Sequence, residues 1–433
     1  MNSFHDRPDG RTDGALELYC EDVPLREIAD AVGAPVYVYS SATLERHYTV
    51  FRDAFAPRTP LIAYAVKANG SLSVLRTLAK LGAGADTVSE GEIRRALAAG
   101  VPASRIVFSG VGKTEAELAF ALDVGVAEIN VESEPELIAL AKIAADRGVT
   151  ADIAIRVNPD VGAGGHAKIS TGGRNDKFGV SLVETERLYA QAAAHPALNP
   201  VGVACHIGSQ ISDLAPMRTA FQTMRALVER LRGQGLGVRR LDLGGGLGVP
   251  YFNAPDPPSP AEFAAMVNQV VEGLEIELAF EPGRLIVANA GVLVARVVHV
   301  HARPEGPRFL VLDAAMNDLI RPAMYDAYHA IRPVRTPEPE APQLDYDVVG
   351  PICETGDTFA RGRRLPALQG GDLVAFMTAG AYGATMSSEY NARPLVPEVL
   401  VKGDRFCVTR RRPTYDEMLA RDQLAPWLVD EGR

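Results

Sequence analysis

The sequence predicts an α/β protein, a TIM (β/α)8 barrel followed by a C-terminal β-rich domain. Three observations predict it. From about residue 40, short apolar runs alternate with longer amphipathic stretches, the pattern of a parallel sheet covered by helices. Eight such runs can be counted over roughly 250 residues, which matches a TIM barrel in number and length. From about residue 291 helix-length patterns become scarce and β-rich runs take over, so a second domain begins there.

The start, MNSFHDRPDGRTDG, is polar and lacks the continuous apolar core of a secretion signal. Residues 1–40 end in the strand-like APVYVYS and are read as an N-terminal segment joining the β domain. The barrel is assigned to residues 41–290. Its strands are PLIAYAVKA (60–68), AGADTVSE (83–90), RIVFSG (105–110), AEINVES (127–133), DIAIRVNP (152–159), VGVACHIGS (201–209), RRLDLGGG (239–246) and IELAFEPGR (276–284). Between them lie helical patterns such as GEIRRALAAG, EAELAFALDVG and EPELIALAKIAADRG, several closed by a glycine suited to a left-handed cap. A doubly wound open sheet is the competing architecture, flagged by the glycine-rich turn at 244–248. That turn follows the seventh strand rather than the first, and no acidic residue follows at the dinucleotide spacing, so the barrel is favoured. The β domain is assigned to residues 291–433, on GVLVARVVHVHAR, RFLVLDA, LDYDVVGPIC, DLVAFM and EVLVKGDRFCVT. The Pro-rich NAPDPPSP and RTPEPEAPQ are connectors.

At 433 residues, 47% hydrophobic and 23% charged, the chain can bury large cores. Its net charge of −10 comes from scattered acidic residues, with no basic stripe to neutralise nucleic acid or an anionic membrane surface. No stretch approaches the ~20 apolar residues of a bilayer span, so a cytoplasmic setting is expected. Cys20, Cys205, Cys353 and Cys407 lie far apart, without the spacing of a metal site or a disulfide framework, and are read as free thiols.

Barrel chemistry gathers at the carboxyl ends of the strands, which here carry Lys67, Asp86, Ser89, Arg156, His206, Ser209, Gly244 to Gly246, Glu281 and Arg284. Singly, each has a bland reading. Lys67 could extend its charge to solvent over a buried stem, His206 could be a hydrogen-bonded core residue, and Glu281 with Arg284 could be a local ion pair. Together they suggest more. A lysine at a barrel mouth, in apolar surroundings that lower its pKa, is suited to a Schiff base with a carbonyl. Either an aldolase-type lysine or one that holds pyridoxal phosphate fits that description. GGGLG offers successive backbone N–H groups for a phosphate, Glu281 a partner for a pyridine nitrogen, and His206 a flat ring to stack on it. Pyridoxal 5′-phosphate accounts for all four features.

With AYAVKAN (63–69), HIGSQ (206–210), LDLGGGLG (241–248), EPGR (281–284), RPAMYDAYH (321–329), GPICETGD (350–357) and GAYG (380–383) in one order, the chain resembles the fold-type III pyridoxal-phosphate decarboxylases. These have an alanine-racemase-like fold, and the likeness is to the branch acting on diaminopimelate. The resemblance implies that Lys67 holds the cofactor, that His206 stacks on its ring and that Glu281 faces its nitrogen. It places Asp86 among the cofactor contacts. Ser209, Gly244, Gly245, Gly246 and the 281–284 turn with Gly283 and Arg284 would form the phosphate cup. Arg284, Arg321, Tyr325 and Glu354 would bind an amino-acid substrate, Cys353 would donate a proton, and Tyr382 would touch cofactor and substrate. It further implies a homodimer in which the 350s segment completes the partner's active site. Thr355 stands where the family usually has serine.

Glu281 argues for decarboxylation, since a racemase on this scaffold would set a cation against the ring nitrogen. Arg284 and Arg321 can grip a distal carboxylate, and Arg321 and Tyr325, four apart, would share one face of a helical turn. The expected substrate is meso-2,6-diaminopimelate and the product L-lysine. Ornithine, lysine or arginine as substrate, or a carrier of pyridoxal phosphate without turnover, are the alternatives. The glycine-rich, charged 164–179 segment, with His166, is expected to form a lid.

Overall fold

The structure, a computed structural model, describes residues 3–8, 16–162, 171–173, 176–251, 256–338 and 340–428. Eight parallel strands close a barrel: Leu61–Ala65, Gly84–Thr87, Ile106–Phe108, Glu128–Val131, Ala151–Arg156, Leu198–Ala204, Arg240–Asp242 and Glu277–Phe280. The ring closes where the last strand meets the first, with Phe280 opposite Ile62. Each run counted in the sequence is one of these strands, but each is shorter than its apolar run because pairing stops where the mouth loops begin. The first strand ends at Ala65, and a 3-10 turn, Val66–Ala68, carries Lys67.

Helices begin directly after the mouth loops because side-chain caps stop them there. Ser89 and Ser133 accept from the backbone N–H of Glu92 and Glu136, and reciprocal capping boxes join Thr114 with Glu117, Ser181 with Glu184 and Ser259 with Glu262. Each cap contributes about 1 kcal/mol, and together they fix where the loops at the mouth end. On the outside of the closing seam Phe51, Phe55, Phe263 and Phe280 pack as one cluster, with Phe55 and Phe280 centroids 4.4 Å apart. Inside, the barrel is polar. Asn130 of the fourth strand donates to Glu281 past the eighth at 3.3 Å, and Arg240 of the seventh donates to Glu128 of the fourth at 3.1 Å. Neither pair lies on neighbouring strands, so both contacts cross the lumen.

The second sheet is built around an early strand. Val36–Ser40 lies between Gly291–Ala302, antiparallel, and Glu398–Lys402, parallel, with every residue buried. The chain thus enters this sheet, leaves for the barrel and returns. An N-terminal hairpin, Phe4–Pro8 with Leu16–Cys20, reaches the same region through Leu18 N–H, which donates to Val334 O at 2.7 Å. No helix among the described residues is long and apolar enough to cross a membrane. All four cysteines are free thiols, Cys20 and Cys205 buried, Cys353 and Cys407 exposed. His166 and much of the 164–179 segment expected to form a lid lie outside the described residues.

Candidate active site

The turn that carries Lys67 is clamped on both sides. Tyr64 Oη donates to Asn69 O at 3.0 Å, and Asn69 Nδ2 donates to Gly380 O at 3.0 Å. From the β domain, Tyr382 N–H donates to Ala68 O at 2.8 Å. Tyr382 achieves this in the left-handed region, at φ 56°, a conformation that costs a non-glycine residue about 1 kcal/mol or more and is held here by the clamp. The result is a fixed lysine at the barrel mouth whose Nζ donates to Asp86 Oδ2 at 2.8 Å.

The apolar surroundings expected around Lys67 are not what the fold provides. Burial does push the amine's pKa down, but Asp86, then Glu281 and Tyr382, outweigh it and hold the amine above its ordinary value. Lys67 is an ammonium among carboxyl groups. Asp86 and Asp242 are buried, and Asp86 Oδ1 and Asp242 Oδ2 have no hydrogen-bond partner among the described residues. Burial, with repulsion from Asp86, raises Asp242 to about 6, against the opposing N–H of Gly244. Burial, then Asp242 and Asp86, raise Glu281 well above the carboxylate range, opposed by Lys67 and Arg156. Glu281 Oε1 is further held by Asn130 Nδ2 at 3.3 Å and by Ser109 Oγ at 3.4 Å. The carboxyl groups gathered here could partner the ring nitrogen of a bound pyridine cofactor.

His206 and the glycine turn form the next wall. Gly245 N–H donates to His206 Nδ1 at 3.2 Å, which places the ring proton on Nε2. Burial, with the charges of Arg156 and Lys67, pushes its pKa well below the usual value, so the ring is neutral. A Cβ on Gly245 would stand 2.3 Å from Glu281 O, and one on Gly246, at φ +110°, would stand 2.4 Å from Gly208 O. Only glycine fits either place. The expectation of a run of free N–H groups needs correction, because Gly244 N–H is taken by Asp242 Oδ1 at 2.7 Å and Gly245 N–H by His206. An anion here would meet Gly246 N–H, Ser209 and Arg284, with Gly244 and Gly245 setting the turn. Gly283 packs against Ala65 and Ala68 and lets the 281–284 turn approach Lys67. These groups, with Lys67, Glu281 and Tyr382, line one pocket at the barrel mouth. The cradle and the acidic end fit pyridoxal phosphate.

At the far side stand two arginines. Arg284 donates to Ser209 Oγ through Nε at 3.3 Å and Nη2 at 3.1 Å, and through Nη1 to Tyr251 Oη at 2.6 Å. Its guanidinium lies 4.9 Å over the Tyr382 ring. Arg321 opens the short helix Arg321–Tyr325 and bonds His329 Nε2 through Nη1 at 2.8 Å. Both arginines are buried, and neither has a carboxylate partner among the described residues. Tyr325, half-buried, closes the same helix. Cys353 and Glu354 are not brought to this cavity within one chain. They are exposed on a β-domain loop, where Cys353 N–H donates to Asn391 Oδ1 at 2.9 Å and Glu354 Oε2 accepts from Tyr390 Oη at 2.9 Å.

Residues 41–288 match the family described as "Pyridoxal-dependent decarboxylase, pyridoxal binding domain". The chain is 50% identical to the diaminopimelate decarboxylase of Pseudomonas aeruginosa over 410 residues, 95% of this chain and 98% of that one. This chain belongs to the pyridoxal-dependent diaminopimelate decarboxylase family. Among solved structures, the diaminopimelate decarboxylase of Helicobacter pylori complexed with L-lysine superposes with a TM-score of 0.88 at 40% identity, covering 92% of this chain and 98% of that one. The M. jannaschii diaminopimelate decarboxylase in co-complex with L-lysine superposes with a TM-score of 0.92 at 34% identity, covering 99% of each. As a family member the chain is a pyridoxal 5′-phosphate-dependent amino-acid decarboxylase with a barrel and a β domain. Asp242, Asn130, Tyr251 and His329 were missed by the sequence reading as site residues. Asp242 and His329 stand inside quoted motifs, LDLGGGLG and RPAMYDAYH, and that position was the available signal.

Proposed function

We propose that this decarboxylase removes carbon dioxide from the D-centre of meso-2,6-diaminopimelate and releases L-lysine, with pyridoxal phosphate held by Lys67. The observation that carries the substrate assignment is the pair of buried guanidinium groups, Arg284 and Arg321, without an acid partner among the described residues. Two such cations repel the ammonium or guanidinium end of ornithine, lysine or arginine. They attract an amino acid with a second carboxylate.

The cofactor, when bound, supplies an electron sink for the bond to the departing carboxylate. The chain's own groups do the rest. Glu281, held by Ser109 and Asn130, would face the ring nitrogen and sustain its charge. His206, neutral, would stack against the ring. Ser209, Gly246 and Arg284 would hold the phosphate. Asp86 keeps the Lys67 amine in place and is the nearest base for its proton. Cys353 from a second copy would supply the proton that replaces the departing carboxylate, and Glu354 of that copy would bind the distal ammonium, with Tyr325 and Tyr382 closing the pocket. The exposure of Cys353 and Glu354 within one chain supports a homodimer with composite sites. Residues 41–290 would then act as the cofactor-binding barrel, with 1–40 and 291–433 forming the β domain of a cytoplasmic enzyme.

The test is carbon dioxide release from meso-diaminopimelate, ornithine, lysine and arginine, with and without added cofactor. Turnover confined to diaminopimelate, with L-lysine as product, is expected. Equal turnover of ornithine would sink the assignment, and a yellow protein that releases carbon dioxide from none of them would make it a carrier. Mixing inactive Lys67→Ala and inactive Cys353→Ala chains checks the composite site, since mixed dimers restore one intact centre.

A further inference from the structure

Two like charges buried on one wall repel, and an arginine side chain has several rotatable bonds through which to escape. Something must hold Arg284 and Arg321 together. We infer that Tyr251 and His329 are positioning residues that fix the two guanidinium groups as one fork for the substrate's distal carboxylate, an inference that rests on the diaminopimelate reading above.

The geometry determines the state of His329. Arginine only donates, so Nε2, 2.8 Å from Arg321 Nη1, must accept, and the ring proton must sit on Nδ1. That nitrogen lies 2.9 Å from Met377 O, to which it donates. Both ring nitrogens are therefore committed, and the tautomer is fixed. Burial, then the charge of Arg321 and afterwards that of Arg284, push the His329 pKa to about 3, which keeps the acceptor available at working pH. Tyr251 touches every member of the group. Its hydroxyl oxygen accepts from Arg284 Nη1 at 2.6 Å, its ring lies 5.0 Å beneath the Arg321 guanidinium, and it meets the His329 ring edge-on at 5.6 Å.

Both restraints are neutral, and this is the point of the arrangement. An aspartate or glutamate in place of His329 would orient Arg321 as well. It would also neutralise the charge and stand in for the substrate. A neutral acceptor fixes direction while leaving both positive charges for an incoming carboxylate.

The test uses the holoenzyme and two ligands that differ at this end alone. L-Lysine retains the distal carboxylate and cadaverine lacks it, and binding of each is read from the absorbance of the bound cofactor. His329→Leu should weaken L-lysine binding, and raise KM for diaminopimelate, by about 10- to 100-fold, the size expected for a hydrogen bond to a charged group. Cadaverine and cofactor binding should stay within about twofold, too small for the loss of such a bond. His329→Gln, which keeps an acceptor, should recover most of the loss. Tyr251→Phe should reproduce part of it and decides the matter if His329→Leu does not fold. The inference is overturned if L-lysine binding is unchanged in both His329→Leu and Tyr251→Phe, or if cadaverine weakens as much as L-lysine. A wild-type enzyme that binds L-lysine no better than cadaverine would overturn the diaminopimelate reading itself.

Discussion

The two sides of the site are electrical opposites. Around Lys67 stand the carboxyl groups of Asp86, Asp242 and Glu281, and burial raises the pKa of the last two. Around Tyr251 stand Arg284 and Arg321, an excess of base without an acid partner among the described residues. Each end is unfavourable alone, and each is matched to a ligand of the other sign: a cationic heterocycle at the first, a phosphate and a carboxylate at the second. Unbalanced buried charge in an enzyme marks where its ligands complete the balance.

Removing the amine of Lys67 should break the acidic end most severely. Lys67→Ala is expected to lower kcat for diaminopimelate on the order of 10⁴-fold or more, with loss of the covalent cofactor absorbance. At the basic end, Arg321→Ala should cost roughly 10²- to 10³-fold in kcat/KM, the size of a truncated buried charge pair, and should appear mainly as KM in steady-state assays. Cofactor affinity, titrated by fluorescence, should barely change, because Arg321 does not reach Ser209. Glu281→Gln should lower kcat by roughly 10²-fold, the range of a lost proton-handling group, and shift the bound cofactor's absorption toward that of an uncharged ring.

The smallest effect sharpens the contrast by pH. Asp242 is raised in the fold to about 6, above the ~3.9 of an unfolded aspartate. The sign follows. The folded state binds the proton more tightly, so this group's contribution to stability is full below about pH 4 and is lost as pH rises through 6. Asp242→Asn removes that penalty. In the cofactor-free protein it should raise the melting temperature at pH 8 and change it little at pH 4, by an amount worth about 1 to 3 kcal/mol at most. A larger gain at pH 4 would reverse the assignment.

The barrel was legible because eight apolar runs of strand length, separated by capped helices, leave few alternatives. Lys67, His206, Glu281 and the glycines were legible for a related reason, since strand ends in a barrel converge. What was not legible is whatever depends on contacts between distant segments. The pKa of Lys67 was expected to be lowered by an apolar setting. Asp86, 19 residues on, and Glu281, just past the last barrel strand, overturn that. The free N–H groups read from GGGLG were likewise claimed by Asp242 and by His206 from another strand. Tyr251 carries no signal in its own stretch, because its meaning comes from Arg321 and His329, which are some 70 residues further along the chain.

The central place of Val36–Ser40 in the second sheet has a consequence for synthesis. The ribosome delivers this strand first, yet both its neighbours, at 291–302 and 398–402, emerge only after the whole barrel. Until then an apolar strand with two bare edges must wait, and a nascent chain stalled near residue 290 would be a template for self-association.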